Sequence, residues 1–490
     1  MIVIDGAHVL AERDFRAGTV AIEGGTIAAV AFSGDDRQGL CERAREVVDG
    51  NGCWLVPGLV DSHTHAYGTL LRGTESALPL ELWSLYTIAY GQGLGDDAIA
   101  AAMLLHDAEC IRSGITGVVD HFPHVAHARA AYAAHERSGM RVLFAVFLQD
   151  LSDYDLLAID VPPPLRDLAA IAPVDSPSYG AWFGDLLETA AAASGRVRLA
   201  LGPNAPQRCS AALWSLWREL RERYDVGVHA HALETRAQAR IAMQRWPDGG
   251  MIAAMESAGL LAPGLSLAHA IWTTDEERER LARCDVAVVH NPLSNLTLGS
   301  GVMPLAAYLA AGVRVGIGTD ASNCAGRHDL FETMRAALTL PRVHDLDPAG
   351  WPDASAVMRM ATANGMAILG YGDAPSGIAA GAPADLVLVR RDRTVTVMSH
   401  STLDGFIAQA GREAIEAVMI DGRWVLRDDR ILAFDETRML AAVAAAHGEI
   451  AERVRTITPT IDAGLAGIAE QMRPWLAPLA ATSPAGPRDA

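Results

Sequence analysis

Apolar and polar positions alternate tightly at the start of the chain. Residues 1–56 read as short strands joined by turns, in IVIDGAHVL, TVAIEGGTIAAV and EVVDGNGCWLV. Gly24-Gly25, between alternating runs, is a hairpin signal. The same texture returns in ADLVLVRRD (384–392) and EAVMIDGRWVLRDD (416–429), with Asp421-Gly422 at the turn. In between, short apolar runs alternate with helical stretches, the pattern of a parallel sheet with crossover helices. Eight runs qualify as strands: 58–63, 117–122, 141–147, 196–204, 226–231, 265–270, 285–291 and 314–320. Spread over 57–375 they leave about 40 residues per unit, enough for a (β/α)8 barrel with long loops. Thr274-Asp275-Glu276-Glu277 predicts a capping box, and Ser210 a cap for a helix over 214–223. The segment 151–180, with Pro162-Pro163-Pro164, reads as an irregular excursion over the barrel mouth. The expected chain is α/β: a TIM-like (β/α)8 barrel over 57–375, and a small β-sandwich domain assembled from 1–56 and 376–435. Residues 436–490 are expected to form two amphipathic helices and a flexible polar tail, ATSPAGPRDA. Those helices offer an apolar surface to the barrel or to a partner, and a homo-oligomer is expected.

Chemistry enters where the strands end. Seven of the eight runs close on a residue able to bind metal or move a proton: His63 and His65, Asp120 and His121, Asn204, His231, His269, His290 and Asp320. Barrel enzymes build their sites from such strand ends. His63 and His65 are two residues apart, so on a strand both point to one face and can chelate one ion.

Composition narrows the options. The formal charge is −19, and all 40 basic residues are arginine. Without lysine there is no Schiff base, no P-loop lysine and no carbamylated lysine to bridge two metals. A net acidic chain argues against nucleic acid, whose phosphates need clustered positive charge. The six cysteines, Cys41, Cys53, Cys110, Cys209, Cys284 and Cys324, form no CxxC and read as scattered thiols of a reducing compartment. The N-terminus lacks the basic and apolar regions of a signal peptide, and no apolar run reaches the ~18 residues of a membrane span. A cytoplasmic protein acting on a small molecule, with no membrane partner, is expected.

The segments PGLVDSHTHAYGTLLRG, VHAHALET, VGIGTDAS and ATANGMAILG…GAPADLVLV together resemble the amidohydrolase superfamily, in its aromatic aminohydrolase and chlorohydrolase branch. The resemblance spans nearly the whole chain. It implies that His63, His65, His231 and Asp320 bind one divalent metal, Zn²⁺ or else Fe²⁺, which acidifies a water. It implies Glu234 as general acid and base, His269 as a polarising group and Asp320 as a second base. By the same resemblance Glu81 and Trp83 line the substrate pocket, and His290 and Asn295 belong to a strand-seven signature. His121, His124 and Arg208 are further pocket candidates, and His229 a structural neighbour of the metal. His106, His127, His135, His328, His344 and His400 carry no argument. Two departures stand out: Asn204 where nucleoside deaminases of this branch carry histidine, and ASNCAGRHDLF after Asp320. Both leave the hydrolytic residues intact and put an adenosine-type substrate in doubt. The implied activity is hydrolytic deamination of a purine, pyrimidine, pterin or triazine. The rival is cleavage of an amide, urea or carbamate, or displacement of chloride from a triazine. A catalytically dead scaffold would lack ligands, and all four are present.

Overall fold

In the computed structural model the described residues are 1–490 except 76, 172–175, 345, 395, 398–401 and 480–490; at 35, 176, 177 and 344 only the backbone is described. The ATSPAGPRDA tail and His400 lie outside them, as does the His344 side chain.

All eight expected barrel strands form: β1 (Leu59–Thr64), β2 (Ile115–Phe122), β3 (Arg141–Leu148), β4 (Val197–Pro203), β5 (Gly227–Ala232), β6 (Leu265–His269), β7 (Ala287–His290) and β8 (Val315–Ile317). They pair in parallel, in chain order, as one eight-stranded sheet. The ring closes between β8 and β1 through a bridge of Thr64 with Asp320, where the Asp320 amide donates to the His63 carbonyl at 2.8 Å. The seam therefore carries the first and last residues of the implied ligand set. Thr274 and Glu277 make the expected capping box, and the Ser210 hydroxyl caps the helix Ala211–Tyr224.

Both chain ends build a second, mixed sheet of nine strands, in which Cys53–Pro57 joins the N-terminal strands to Leu386–Arg390. Its period-two pattern serves two cores. Leu386 and Leu388 pack with Val9, Leu55 and Met419 in the sheet's own core, whereas Val387 and Val389 join the barrel core. An enclosed ion pair stitches the two sheets together. Arg141, at the start of β3, donates to both oxygens of Asp385, through Nε at 2.6 Å and Nη2 at 3.1 Å.

The C-terminal region departs from expectation. Instead of two helices it forms one 41-residue helix, Glu436–Leu476, with Pro459 inside it. An internal proline costs about 3 kcal/mol. Burial outweighs that cost, because Met439, Ala446 and Ile450 before it and Ile461, Ile468 and Met472 after it all pack into the barrel core. The helix lies on two barrel helices, α1 (Leu80–Gly91) and α2 (Asp96–Arg112), and is termed α3 here. Of the two expected uses of this apolar face, packing on the barrel is the one seen within the chain.

Candidate active site

Four imidazoles meet at the C-terminal end of the barrel. His63, His65, His121 and His231 each bring a ring nitrogen within 4.8 Å of the others, and His63 makes a like group with His269 and Asp320. Hydrogen bonding fixes which nitrogen each offers. His65 Nδ1 lies 2.7 Å from the His121 carbonyl, and His231 Nδ1 lies 2.6 Å from the Asn204 carbonyl. Carbonyls only accept, so both Nδ1 atoms carry the proton and both Nε2 atoms carry lone pairs. Those two Nε2 atoms stand 3.1 Å apart. Two lone pairs at that separation repel unless a cation lies between them. His63 Nδ1 contacts His229 Nε2 at 2.7 Å, and His229 Nδ1 contacts Ser266 Oγ at 2.7 Å. His63 Nε2 is left buried without a hydrogen-bond partner. Asp320 Oδ1 stands 3.4 Å from that atom and 3.5 Å from His65 Nε2. Three imidazoles and a carboxylate converging this way fit a divalent cation. His229 sits behind His63 and orients it.

Beside the cluster is a proton-handling group. His269 Nε2 is 3.8 Å from Glu234 Oε2 and 3.8 Å from Asp320 Oδ2. Its Nδ1 donates to Asn295 Oδ1 at 2.8 Å, which aims the other nitrogen at the carboxylates. Burial raises the Glu234 carboxyl above its ordinary value, opposed by His269. Ser294 Oγ donates to Asp320 Oδ2 at 2.5 Å. Backbone strain concentrates here too. Leu233, His269, Ala270 and Asp320 all have positive φ, at 47°, 70°, 45° and 65°. Non-glycine residues hold that conformation where surrounding structure imposes it, commonly at active sites.

The pocket candidates divide. Glu81 is buried, accepts from Thr235 Oγ1 at 2.5 Å through Oε1, and leaves Oε2 without a partner. Trp83 packs on Leu298, Ala321 and Cys324 as a wall beside Asp320. Arg208 donates to Asp153 Oδ2 at 2.5 Å and to Asn204 Oδ1 at 3.1 Å. Asp153 belongs to the 151–180 segment, which forms helices at Asp153–Leu156 and Pro163–Leu168 where an irregular excursion was expected; at its start the Asp150 and Leu151 amides bond the Arg208 carbonyl. His290 is buried with Nδ1 unpartnered, and burial pulls its pKa down to about 3. His124 packs edge-on against Tyr67 at 4.8 Å, away from the four-imidazole group.

Residues 54–425 match the amidohydrolase family. The chain belongs to that family. It is thereby a metal-dependent hydrolase of carbon–nitrogen bonds. Relatives agree in length. A 5'-deoxyadenosine deaminase of Methanothermobacter thermautotrophicus is 33% identical over 453 residues, 92% of this chain and 98% of that one. A 5-methylthioadenosine/S-adenosylhomocysteine deaminase of Desulforudis audaxviator is 34% identical, over 90% and 96%. Among solved structures, a zinc-bound adenosine deaminase of Xanthomonas campestris superposes with a TM-score of 0.81 at 28% identity, over 92% and 98%. A zinc-bound atrazine chlorohydrolase of Arthrobacter aurescens shares the fold, with a TM-score of 0.80 at 24% identity over 91% and 100%.

Within this amidohydrolase the two departures from the expected motifs acquire structural content. The Asn204 side chain has partners at both ends: Oδ1 also lies 3.2 Å from His231 Nδ1, and Nδ2 donates to Gln149. In this arrangement it braces His231 and Arg208. Asn295 likewise gives its oxygen to His269. After Asp320, a short helix Ser322–Ala325 sends Asn323 Nδ2 to Thr87 Oγ1 at 2.9 Å, tying this loop to α1.

Sequence reasoning missed a buried polar network behind the site. His106 contacts Asp107 at 2.8 Å, Asp107 contacts His135 at 2.9 Å, and His135 contacts Asp120 at 3.1 Å. Against the pull of burial, Asp107 and Asp120 hold the His135 pKa up at about 10. Asp120 in turn accepts from the Ala66 amide at 2.9 Å, next to His65. The available signal was spacing: His106 and Cys110 are one helical turn apart.

Proposed function

We propose that this amidohydrolase is a mononuclear, Zn²⁺-dependent deaminase of a nitrogen heterocycle. His63, His65, His231 and Asp320 would hold the ion, supported by the convergent lone pairs and by the absence of any lysine to bridge a pair. When bound, the cation supplies the Lewis acidity that makes water nucleophilic at neutral pH.

The chain's own groups manage the protons. Asp320 Oδ2, held by Ser294, accepts a proton from the attacking water. Glu234, its carboxyl kept protonated more readily by burial, donates to the ring nitrogen beside the reacting carbon. His269, anchored through Asn295, polarises the centre under attack. Overall, water oxygen forms the new C–O bond, its two protons end on the ring nitrogen and the amine, and the C–N bond breaks to release ammonia. The observation that carries this reading is His269 Nε2, 3.8 Å from both Glu234 Oε2 and Asp320 Oδ2 at the edge of the imidazole cluster. The whole-length relatives named for deamination of 5'-deoxyadenosine and 5-methylthioadenosine support the same chemistry. Every proposed site residue lies within 57–375, which we take as the catalytic unit, with 1–56 and 376–435 as its β-domain. Six free thiols support a reducing, cytoplasmic setting. Among the described residues no helix is long and apolar enough to cross a membrane.

The test is ammonia release across adenosine, 5'-deoxyadenosine, 5-methylthioadenosine, guanine, cytosine, pterins, aminotriazines and ureas. Glu234→Gln should lower kcat by about 10²–10⁴-fold on the active substrate while the metal content stays unchanged. An unaltered rate would remove Glu234 from the reaction, and turnover of ureas alone would replace deamination by the rival hydrolysis.

A further inference from the structure

A second group of donors lies back to back with the first, between the barrel and α2. Alternation along β1 sends His63 and His65 one way and Thr64 the other. Thr64 Oγ1 lies 2.9 Å from His106 Nε2. Thr319, the neighbour of Asp320, has its hydroxyl 2.7 Å from His328 Nδ1. The partners set the tautomers. Asp107 accepts from His106 Nδ1 at 2.8 Å, so His106 Nε2 carries a lone pair. Thr319 gives its one proton to Asp61 Oδ2 at 2.5 Å, so its oxygen accepts from His328 Nδ1. His328 Nε2 is therefore an acceptor as well, and it is buried with no partner. Cys110 brings Sγ to 3.6 Å from His106 Nε2.

We propose that His106, Cys110 and His328 form a second, buried metal site for a soft cation of the Zn²⁺ type. One ligand atom from each lies within 4.8 Å of the other two. Bonds of about 2.0 Å to nitrogen and 2.3 Å to sulfur put neighbouring tetrahedral ligands about 3.5 Å apart. The His106–Cys110 pair already has that spacing, and His328, within 4.8 Å of both, needs to close by at most about 1.3 Å. Two imidazoles and a thiolate select zinc or copper(I) over hard ions. Outer carboxylates stand where such a site uses them: Asp107 behind His106, and Asp61 behind His328 through Thr319. Thr64, whose hydroxyl donates to His106 Nε2, would turn its oxygen lone pair toward the ion once that nitrogen is bound. Burial holds the free Cys110 thiol well above its ordinary value. Metal binding then replaces the S–H bond by an S–metal bond and releases that proton to solvent.

Cobalt distinguishes this site from the active site, whose proposed ligands contain no sulfur. The full chain would be produced in zinc-depleted medium supplemented with Co²⁺, so that the ion is present during folding. Two Co²⁺ per chain and a thiolate-to-cobalt charge-transfer band in the near ultraviolet are expected. Cys110→Ala should abolish the band and halve the cobalt, whereas Cys324→Ala, near Asp320, should leave both. One Co²⁺ per chain without the band overturns the proposal, as does a band that survives Cys110→Ala. The wild-type count and spectrum decide the matter even where a variant does not fold, and neither depends on which substrate the enzyme takes.

Discussion

Replacing Glu81 by glutamine should flatten the alkaline limb of the stability profile. Burial, opposed by the Thr235 hydroxyl, raises the Glu81 pKa from 4.5 to about 7. The folded chain therefore keeps a proton that the unfolded chain loses between those values. In that window the native state binds more protons, so stability falls as pH rises, and the loss is complete above the folded pKa. At 1.36 kcal/mol for each tenfold change in proton affinity, the total is about 3 kcal/mol. Glutamine has nearly the same shape, can accept from Thr235 and never ionises. Urea unfolding of both proteins at about pH 5 and about pH 8.5 measures the effect. Between those conditions the variant should gain about 2.5 kcal/mol on wild type. An equal pH dependence in the two proteins would refute the assignment of a neutral, buried carboxyl at Glu81.

Three other outcomes follow from the geometry. His229→Ala removes the partner of His63 Nδ1 and should weaken active-site metal binding by about 10–100-fold, read by chelator competition. Arg141→Leu leaves the Asp385 carboxylate buried without its partner and should destabilise the chain by about 3–5 kcal/mol in urea unfolding. Adding Asp385→Leu should recover part of that loss, which a purely surface ion pair would not show.

The fold was legible because parallel strands buried on both faces leave an unmistakable apolar run. The eight runs therefore lie within a few residues of β1–β8. The site was legible for the same reason: a barrel gathers its strand ends, so His63, His65, His231, His269 and Asp320 had to meet. Legibility ended where a residue's role depends on its partner. Asn204 is such a case: its partners His231, Arg208 and Gln149 come from other parts of the chain, and no local pattern announces them. His106, His135 and His328 lie on helices and a loop, and only tertiary contacts join them. The single α3 helix was hidden because Pro459 is locally unfavourable, and the compensating burial of Ile461 and Ile468 is set by distant residues.

Helix α3 also bears on how the enzyme is made. Tyr86 donates to Asp462 at 2.6 Å, Tyr90 meets Thr458 at 2.8 Å, and Arg453 donates to the Ala89 carbonyl at 2.7 Å. These contacts clamp α1, the helix that presents Glu81 and Trp83. Asp462 is synthesised 376 residues after Tyr86, a delay of about 20–75 s at ribosomal rates of about 5–20 residues per second. The face of α1 that α3 covers in the folded chain is made long before its cover. Until α3 is made, α1 lacks these three contacts, and the wall that carries Glu81 and Trp83 lacks its outer support.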